Sequence, residues 1–267
     1  MDSLTFALIH AYKSETWTMN FNRFFKISLL FCLIAVFNLH AAEIRIIHPG
    51  SLELVYGDLI NRPPPLSSPI RKVRANGEIF YVFPDVVSPS IQSVFLLEHT
   101  KIAAGESVLD IGSGCGIQAV FAAKNKAKRV VATDLSSAAA ANTAYNAAGH
   151  NLSNIIEPLQ GDLFSSVNKQ EKFDVIIFNI DYPWNQETQG LWKVHERFFR
   201  EVKTYLNPNG RIYYQAGLVD NVAKINSMVK ANGLMIMKMN MVNAFTHDRE
   251  PIVFHIEHER AKVTPNP

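Results

Sequence analysis

The chain has 267 residues, 48% of them hydrophobic and 19% charged, which suits a globular core and excludes a disordered or low-complexity chain. Lys and Arg number 26 against 24 Asp and Glu, and the resulting +2 is no footprint of a dedicated nucleic-acid binder. Two cysteines, Cys32 and Cys115, cannot build a disulfide framework or a cysteine-rich zinc site, and the histidines include no His-Glu-x-x-His pattern of a zinc hydrolase.

The first element in chain order is apolar. Ile27 to Phe37 reads ISLLFCLIAVF, with Arg23 and Lys26 before it and the small residues Ala41 and Ala42 after it. A basic flank, a short greasy core and a small-residue cleavage site follow the order of a secretory signal, and a start at Met19 gives that signal a conventional length. With Phe24, Phe25 and Leu39 the run also approaches an uncleaved anchor, and the basic flank would then place the rest of the chain across the membrane. A buried core helix is the competing reading, disfavoured because such a helix rarely lacks a polar face. Residues 1–42 are therefore expected to be a signal peptide or membrane anchor. Residues 43–105 form a lead-in with turn chemistry, NRPPPLSSP at 61–69 and FPDVVSPS at 83–90. Arg71, Lys72 and Arg74 within it read as a solvated loop face.

After Gly105, short apolar runs alternate with helical patterns. VLDI at 108–111 is a strand and Ile117 to Lys126 a helix. VVAT at 130–133 is a strand, and SSAAAANTAYNAA at 136–148 a helix that Ser136 or Ser137 can cap. IIEPL at 155–159 is a shorter strand. FDVIIFN at 173–179 is so apolar that both its faces must be buried, as in a parallel sheet. LWKVHERFFREVKTYL at 191–206 is a helix, ended by the turn residues NPNG at 207–210. RIYYQA at 211–216 is a strand and Val219 to Lys230 a helix; LMIMKMNMV at 234–242 and PIVFHIEH at 251–258 are closing strands with no helix between them. This repetition predicts an α/β fold: a doubly wound, mostly parallel seven-stranded sheet with an antiparallel closing hairpin.

The strongest chemical signal sits at the first strand–helix junction, Asp110-Ile111-Gly112-Ser113-Gly114-Cys115-Gly116. Such a loop lets backbone approach a ligand, and the helix start behind it favours anionic groups. A nicotinamide fingerprint needs its third glycine at 117, where the chain has Ile117, so a dehydrogenase is disfavoured. Asp134 ends the second strand, suited to ribose hydroxyls, and Asp162 in GDLF ends the third, suited to an adenine amino group. Three acids at successive strand ends on the ligand-binding edge make a far stronger pattern than the glycines alone.

VLDIGSGCGIQA, VVATDLS, GDLF and FDVIIFN together resemble the class I S-adenosylmethionine-dependent methyltransferases, over roughly residues 80–258. The resemblance implies a Rossmann-like S-adenosylmethionine-binding domain at 106–267. It implies that Asp110, Gly112, Gly114 and Gly116 hold the methionine end of the cofactor, that Asp134 binds the ribose, and that Asp162 with Phe164 frames the adenine. PDVVSPSIQSVFLLEH at 84–99 is similar to the lead-in of the small-domain branch, which includes HemK-type enzymes that methylate a glutamine amide and relatives that act on amino groups of bases. Their Asn-Pro-Pro-Tyr signature grips a planar NH2 with a carboxamide and a backbone carbonyl and stacks an aromatic ring on the substrate. Here the motif reads Asn179-Ile180-Asp181-Tyr182, then Pro183 and Trp184. Asn179 and Tyr182 match, and both prolines, which stiffen such a loop, are replaced. Asp181 is either a general base or a cap for the following segment. His195, on the next helix, is expected at the surface. The acceptor stays open between a protein, a nucleobase and a small molecule, with an oxygen methyltransferase and a non-catalytic cofactor-binding module as alternatives. The lead-in is expected to supply part of the acceptor site or a lid, and the oligomeric state is undetermined.

Overall fold

The computed structural model describes residues 43–47, 54–60, 70–183, 185–217, 221–242 and 251–259, all within one compact unit, Leu39–Pro267. The signal or anchor segment and the Pro-rich 61–69 stretch lie outside the described residues, and among those described no helix is long and apolar enough to cross a membrane.

The elements in chain order are β1 (Glu43–Ile47), β2 (Leu54–Ile60), β3 (Ile70–Ala75), β4 (Glu78–Val82), α1 (Ile91–His99), β5 (Ser107–Ile111), α2 (Ile117–Lys124), β6 (Arg129–Asp134), α3 (Ser137–Gly149), β7 (Ile156–Gln160), β8 (Phe173–Phe178), α4 (Trp192–Glu201), β9 (Leu206–Ala216), α5 (Val222–Ala231), β10 (Leu234–Val242) and β11 (Ile252–His258). The main sheet has the order β1-β10-β11-β9-β8-β5-β6-β7. Strands β5 to β9 pair in parallel, while β11 is antiparallel to both β9 and β10, which gives the closing hairpin expected from sequence. An eighth strand, β1, pairs in parallel with β10 at the edge. The sequence resolves β8 correctly: lying between β5 and β9, it buries Phe173, Val175, Ile176, Ile177 and Phe178. Pro158, which has no N–H to donate, falls on β7 at the opposite edge, where the missing donor leaves no gap in a ladder.

From β5 the chain winds outward one way through β6 and β7 and then returns to the other side through β8 and β9. The switch point therefore lies between β5 and β8. Ile111 pairs with Phe178 at its top, so the glycine loop and the Asn179 loop leave the sheet side by side. This register is what builds a site from two segments far apart in sequence.

The lead-in contains structure that turn chemistry hid. Strands β2, β3 and β4 form a separate antiparallel sheet, and the exposed Arg71 and Arg74 lie on β3, a strand and not a loop. The open edge of β4 is covered by α3. Asn146 Oδ1 accepts from the Tyr81 N–H at 2.9 Å, Asn142 Oδ1 accepts from the Phe83 N–H at 2.9 Å, and both side-chain amides donate to the Tyr81 carbonyl. Asparagine side chains thus stand in for a missing strand.

Two expected boundaries shift. The helix expected over 191–206 ends at Glu201, followed by a 3₁₀ turn at Val202–Thr204, and Leu206 already belongs to β9. The NPNG stretch does not separate helix from strand. It bulges out of β9, because Leu206 pairs with Phe173 while Arg211 pairs with Val175. Gly and Asn fit such a bulge as well as a turn, so composition alone does not distinguish them.

Candidate active site

Gly112, Gly114 and Gly116 take φ values of 75°, 55° and 82°, in the left-handed region that other residues enter at a cost. The loop is closed from behind by backbone: the Gly112 and Ser113 amides both donate to the Thr133 carbonyl of β6. Helix α3 holds it from the side. Thr143 Oγ1 donates to the Gly114 carbonyl at 3.2 Å and Asn146 Nδ2 to the Cys115 carbonyl at 2.8 Å. Asn146 thus joins the glycine loop and the lead-in sheet through one side chain. A Cβ on Gly116 would sit 3.0 Å from Thr143 Cγ2, so close helix packing as well as φ requires glycine there.

Asp110 is fully buried at the end of β5, and neither carboxylate oxygen has a hydrogen-bond partner. Burial pushes its carboxyl up to about 7; the Asp134 charge adds to the rise, and the Ala119 N–H opposes it without closing a hydrogen bond. A buried acid left unpaired is costly unless a ligand group completes it. Asp134, by contrast, is already engaged: Oδ2 accepts from the Gly114 N–H and Oδ1 from the Ser136 N–H, both at 2.9 Å. It ties the glycine loop to the start of α3.

Asp162 is exposed and paired through both oxygens with the Arg197 guanidinium of α4, whose hydrogen bonds hold its carboxyl below the usual range. Leu163 beside it has φ 53°, a strained setting for a branched residue, stabilised by Thr133 Oγ1 donating to its carbonyl. Phe164 points away from the surface. Its ring is buried and stacked on Tyr205 at 4.5 Å between centroids, so it supports the GDLF turn from the core.

The Asn179 loop is built by contacts with distant segments. Asn179 Nδ2 donates to Ser93 Oγ of α1 at 3.3 Å, which leaves Oδ1 able to accept. The Ile180 side chain lies over Gly112, where a Cβ would come within 2.5 Å of Ile180 Cγ1, so the two loops touch directly. Asp181 is exposed, with Oδ1 accepting from the Tyr182 N–H. Tyr182 is buried, and its hydroxyl accepts from Gln92 Nε2 of α1 at 2.7 Å while lying against Gly217. Trp184 lies outside the described residues.

His195 departs from its expected surface position. It is fully buried, with Nδ1 2.6 Å from the Tyr214 hydroxyl and Nε2 3.0 Å from the Asp181 carbonyl. The signal was in the spacing: Trp192, His195, Phe198, Phe199 and Val202 form one buried stripe, and His195 falls within it. Burial pushes its imidazole down to about 4, so the ring is neutral. Ser93, Gln92 and Gly217 also shape the loop, and no local motif announces them.

The profile of the family described as Methyltransferase small domain matches residues 89–232. A ribosomal protein L11 methyltransferase of Alkaliphilus oremlandii is 30% identical over 137 residues, 51% of this chain and 40% of that protein. A putative protein N5-glutamine methyltransferase of Methanocaldococcus jannaschii is 29% identical over 160 residues, 54% of this chain and 79% of that protein. The chain thus spans less than half the length of the first relative and most of the second. The crystal structure of a ribosomal protein L11 methylase from Lactobacillus delbrueckii subsp. bulgaricus shares the fold, with a TM-score of 0.51 at 21% identity over 67% of this chain and 84% of that one.

Proposed function

This chain belongs to the Methyltransferase small domain family, and we propose that it transfers the methyl group of S-adenosylmethionine to a nitrogen of a protein or nucleobase amide or amine. One observation carries the reading: the unpaired, buried Asp110 carboxylate lies under a left-handed glycine loop, beside an Asn179 loop that leaves the adjacent strand. A buried acid without a partner suits the cationic methionine end of that cofactor, and the glycine backbone admits close approach. Asp110, Gly112, Gly114 and Gly116 would hold the methionine end, Asp134 the ribose and Asp162 the adenine. When bound, the cofactor supplies a sulfonium-activated methyl group.

The protein's task is then alignment and exclusion of water. Asn179 Oδ1 accepts an N–H of the acceptor, drawing the nitrogen lone pair toward the methyl. Asp181, exposed at the loop, either takes the proton released or orients a cationic amine. That same carboxylate supports a second reading, an oxygen or small-molecule acceptor for which Asp181 is the base. Calorimetry with S-adenosylhomocysteine tests the cofactor, and transfer of labelled methyl to glutamine-containing peptides, tRNA and phenols tests the acceptor. Absence of binding ends the methyltransferase reading. Binding without transfer to any of the three favours a module that only senses the cofactor.

The Arg23–Ala42 segment supports delivery to the secretory machinery or a membrane. Fractionation with N-terminal sequencing checks this, and a soluble cytosolic protein that retains residues before Ala42 refutes it.

A further inference from the structure

The buried polar pair in the aromatic core serves a purpose beyond packing. Tyr214 is fully buried among Phe178, Phe198, Phe199 and Phe254, and its ring lies parallel to that of Phe178. Phenylalanine would fill that space without a hydroxyl to satisfy, and leucine would fill the space of His195 without two nitrogens. The two polar side chains satisfy one another, and the hydrogen-bond logic leaves a single arrangement. A carbonyl only accepts, so His195 Nε2 carries the proton toward Asp181. Nδ1 is then the acceptor, and the Tyr214 hydroxyl must donate to it. The chain of bonds runs from the core, through the imidazole, to the backbone of the loop whose stiffening prolines are absent.

We propose that His195 is the positioning residue of the acceptor loop: braced at Nδ1 by the Tyr214 hydroxyl, it donates its Nε2–H to the Asp181 carbonyl and so sets the course of Asn179–Tyr182, the role prolines play in the Asn-Pro-Pro-Tyr motif. This rests on the methyltransferase reading for its consequence but not for its chemistry. The ring is neutral and not itself a base: burial and Lys224 of α5 lower its imidazole and outweigh Asp181 of the loop, which raises it, while Tyr214 of β9 fills Nδ1. Its remaining nitrogen is occupied by Tyr214, so it has no lone pair to offer an acceptor.

The decisive variant removes both partners together. His195→Leu with Tyr214→Phe leaves no buried side-chain polar group unsatisfied and frees only the part-buried Asp181 carbonyl of the loop, so the fold should be kept while the loop loses its tether. We expect amide exchange of the peptide covering residues 179–182 to speed up by at least about tenfold. S-adenosylhomocysteine affinity should stay within a few-fold, since the glycine loop has its own anchors. His195→Gln, which keeps one donor and one acceptor, should restore slow exchange. In the unmutated protein, nitrogen NMR of the imidazole should report the Nε2–H tautomer, and in Tyr214→Phe the Asp181 carbonyl should hold it there. Unchanged loop exchange in the stable double variant, or an Nδ1–H tautomer in the unmutated protein, overturns the proposal. Failure to bind S-adenosylhomocysteine in the unmutated protein overturns the methyltransferase reading alone, because exchange and tautomer are read without it.

Discussion

The glycine loop and the Asn179 loop leave adjacent strands side by side, yet they are held in opposite ways. The glycine loop is shaped by its own backbone, with three left-handed glycines and amides bonded to Thr133, and is braced by neighbours within about one strand–helix unit. The Asn179 loop has no such internal code. Ser93 and Gln92 reach it from 86 and 90 residues upstream, and His195 from 14 downstream. One loop is encoded locally and the other by the fold. A substitution in the first should therefore act on cofactor binding, and a substitution remote from the second should act on methyl transfer.

Gly217→Ala tests that contrast at its sharpest. A Cβ there would fall 1.5 Å from the Tyr182 hydroxyl oxygen and 2.1 Å from its ring carbon, so Tyr182 must leave its slot and take the loop with it. Misplacement by an ångström costs on the order of a hundredfold, and we expect at least that loss in methyl transfer with cofactor affinity within a few-fold. A parallel collapse of S-adenosylhomocysteine binding would show that the loops do not fail separately. Asn179→Ala extends the test to the loop's own side chain: turnover should be lost and cofactor affinity kept.

Gly112→Ala probes a place where the two loops touch. The left-handed backbone alone costs about 1–2 kcal/mol, and overpacking against Ile180 adds about 1–3 kcal/mol. Trimming Ile180 to Ala in the same chain should return the packing part and leave the backbone part, which denaturant unfolding of the single and double variants separates. Asp134→Ala is gentler on the fold and should weaken cofactor binding by about 1–3 kcal/mol, partly through the freed Gly114 and Ser136 amides. Unchanged affinity by calorimetry would remove its ribose assignment.

The same contrast explains what the sequence made legible. The order of strands and helices from β5 onward, the glycine loop and the three acids follow from short windows, because apolar strand runs, helix stripes and left-handed glycines are local properties. The lead-in strands escaped because their polar turns dominate the pattern and the edge of β4 is completed by Asn142 and Asn146, more than 50 residues away. The place of Phe164 in GDLF points to the adenine, but its ring lies in the core against Tyr205, after a left-handed Leu163 that no window reveals. His195 was legible in principle, since its stripe was in view, but a histidine weighs as polar until its partners are known.

The smallest effect we expect is a cancellation that sets one loop's buried group against the other's. Asp110 has a carboxyl raised from 3.8 to about 7, so its contribution is greatest in acid and is lost as pH rises from about 4 to 7, about 4 kcal/mol in all. His195 has an imidazole lowered from 6.5 to about 4, so its contribution is complete above 6.5 and is lost as pH falls toward 4, about 3 kcal/mol. Between pH 4 and 6.5 the two slopes have opposite signs and nearly equal size, and together they should move stability by no more than about 1 kcal/mol. Each is exposed by removing the other. Asp110→Asn leaves the histidine slope, so that variant should lose stability on acidification relative to the unmutated protein. His195→Gln leaves the aspartate slope, so that variant should gain stability on acidification by the same comparison. Urea titrations of the ligand-free proteins at several pH values read both. A flat difference for Asp110→Asn would mean that its carboxylate is not held uncompensated beneath the glycine loop, and the strongest mark of the cofactor site would be gone.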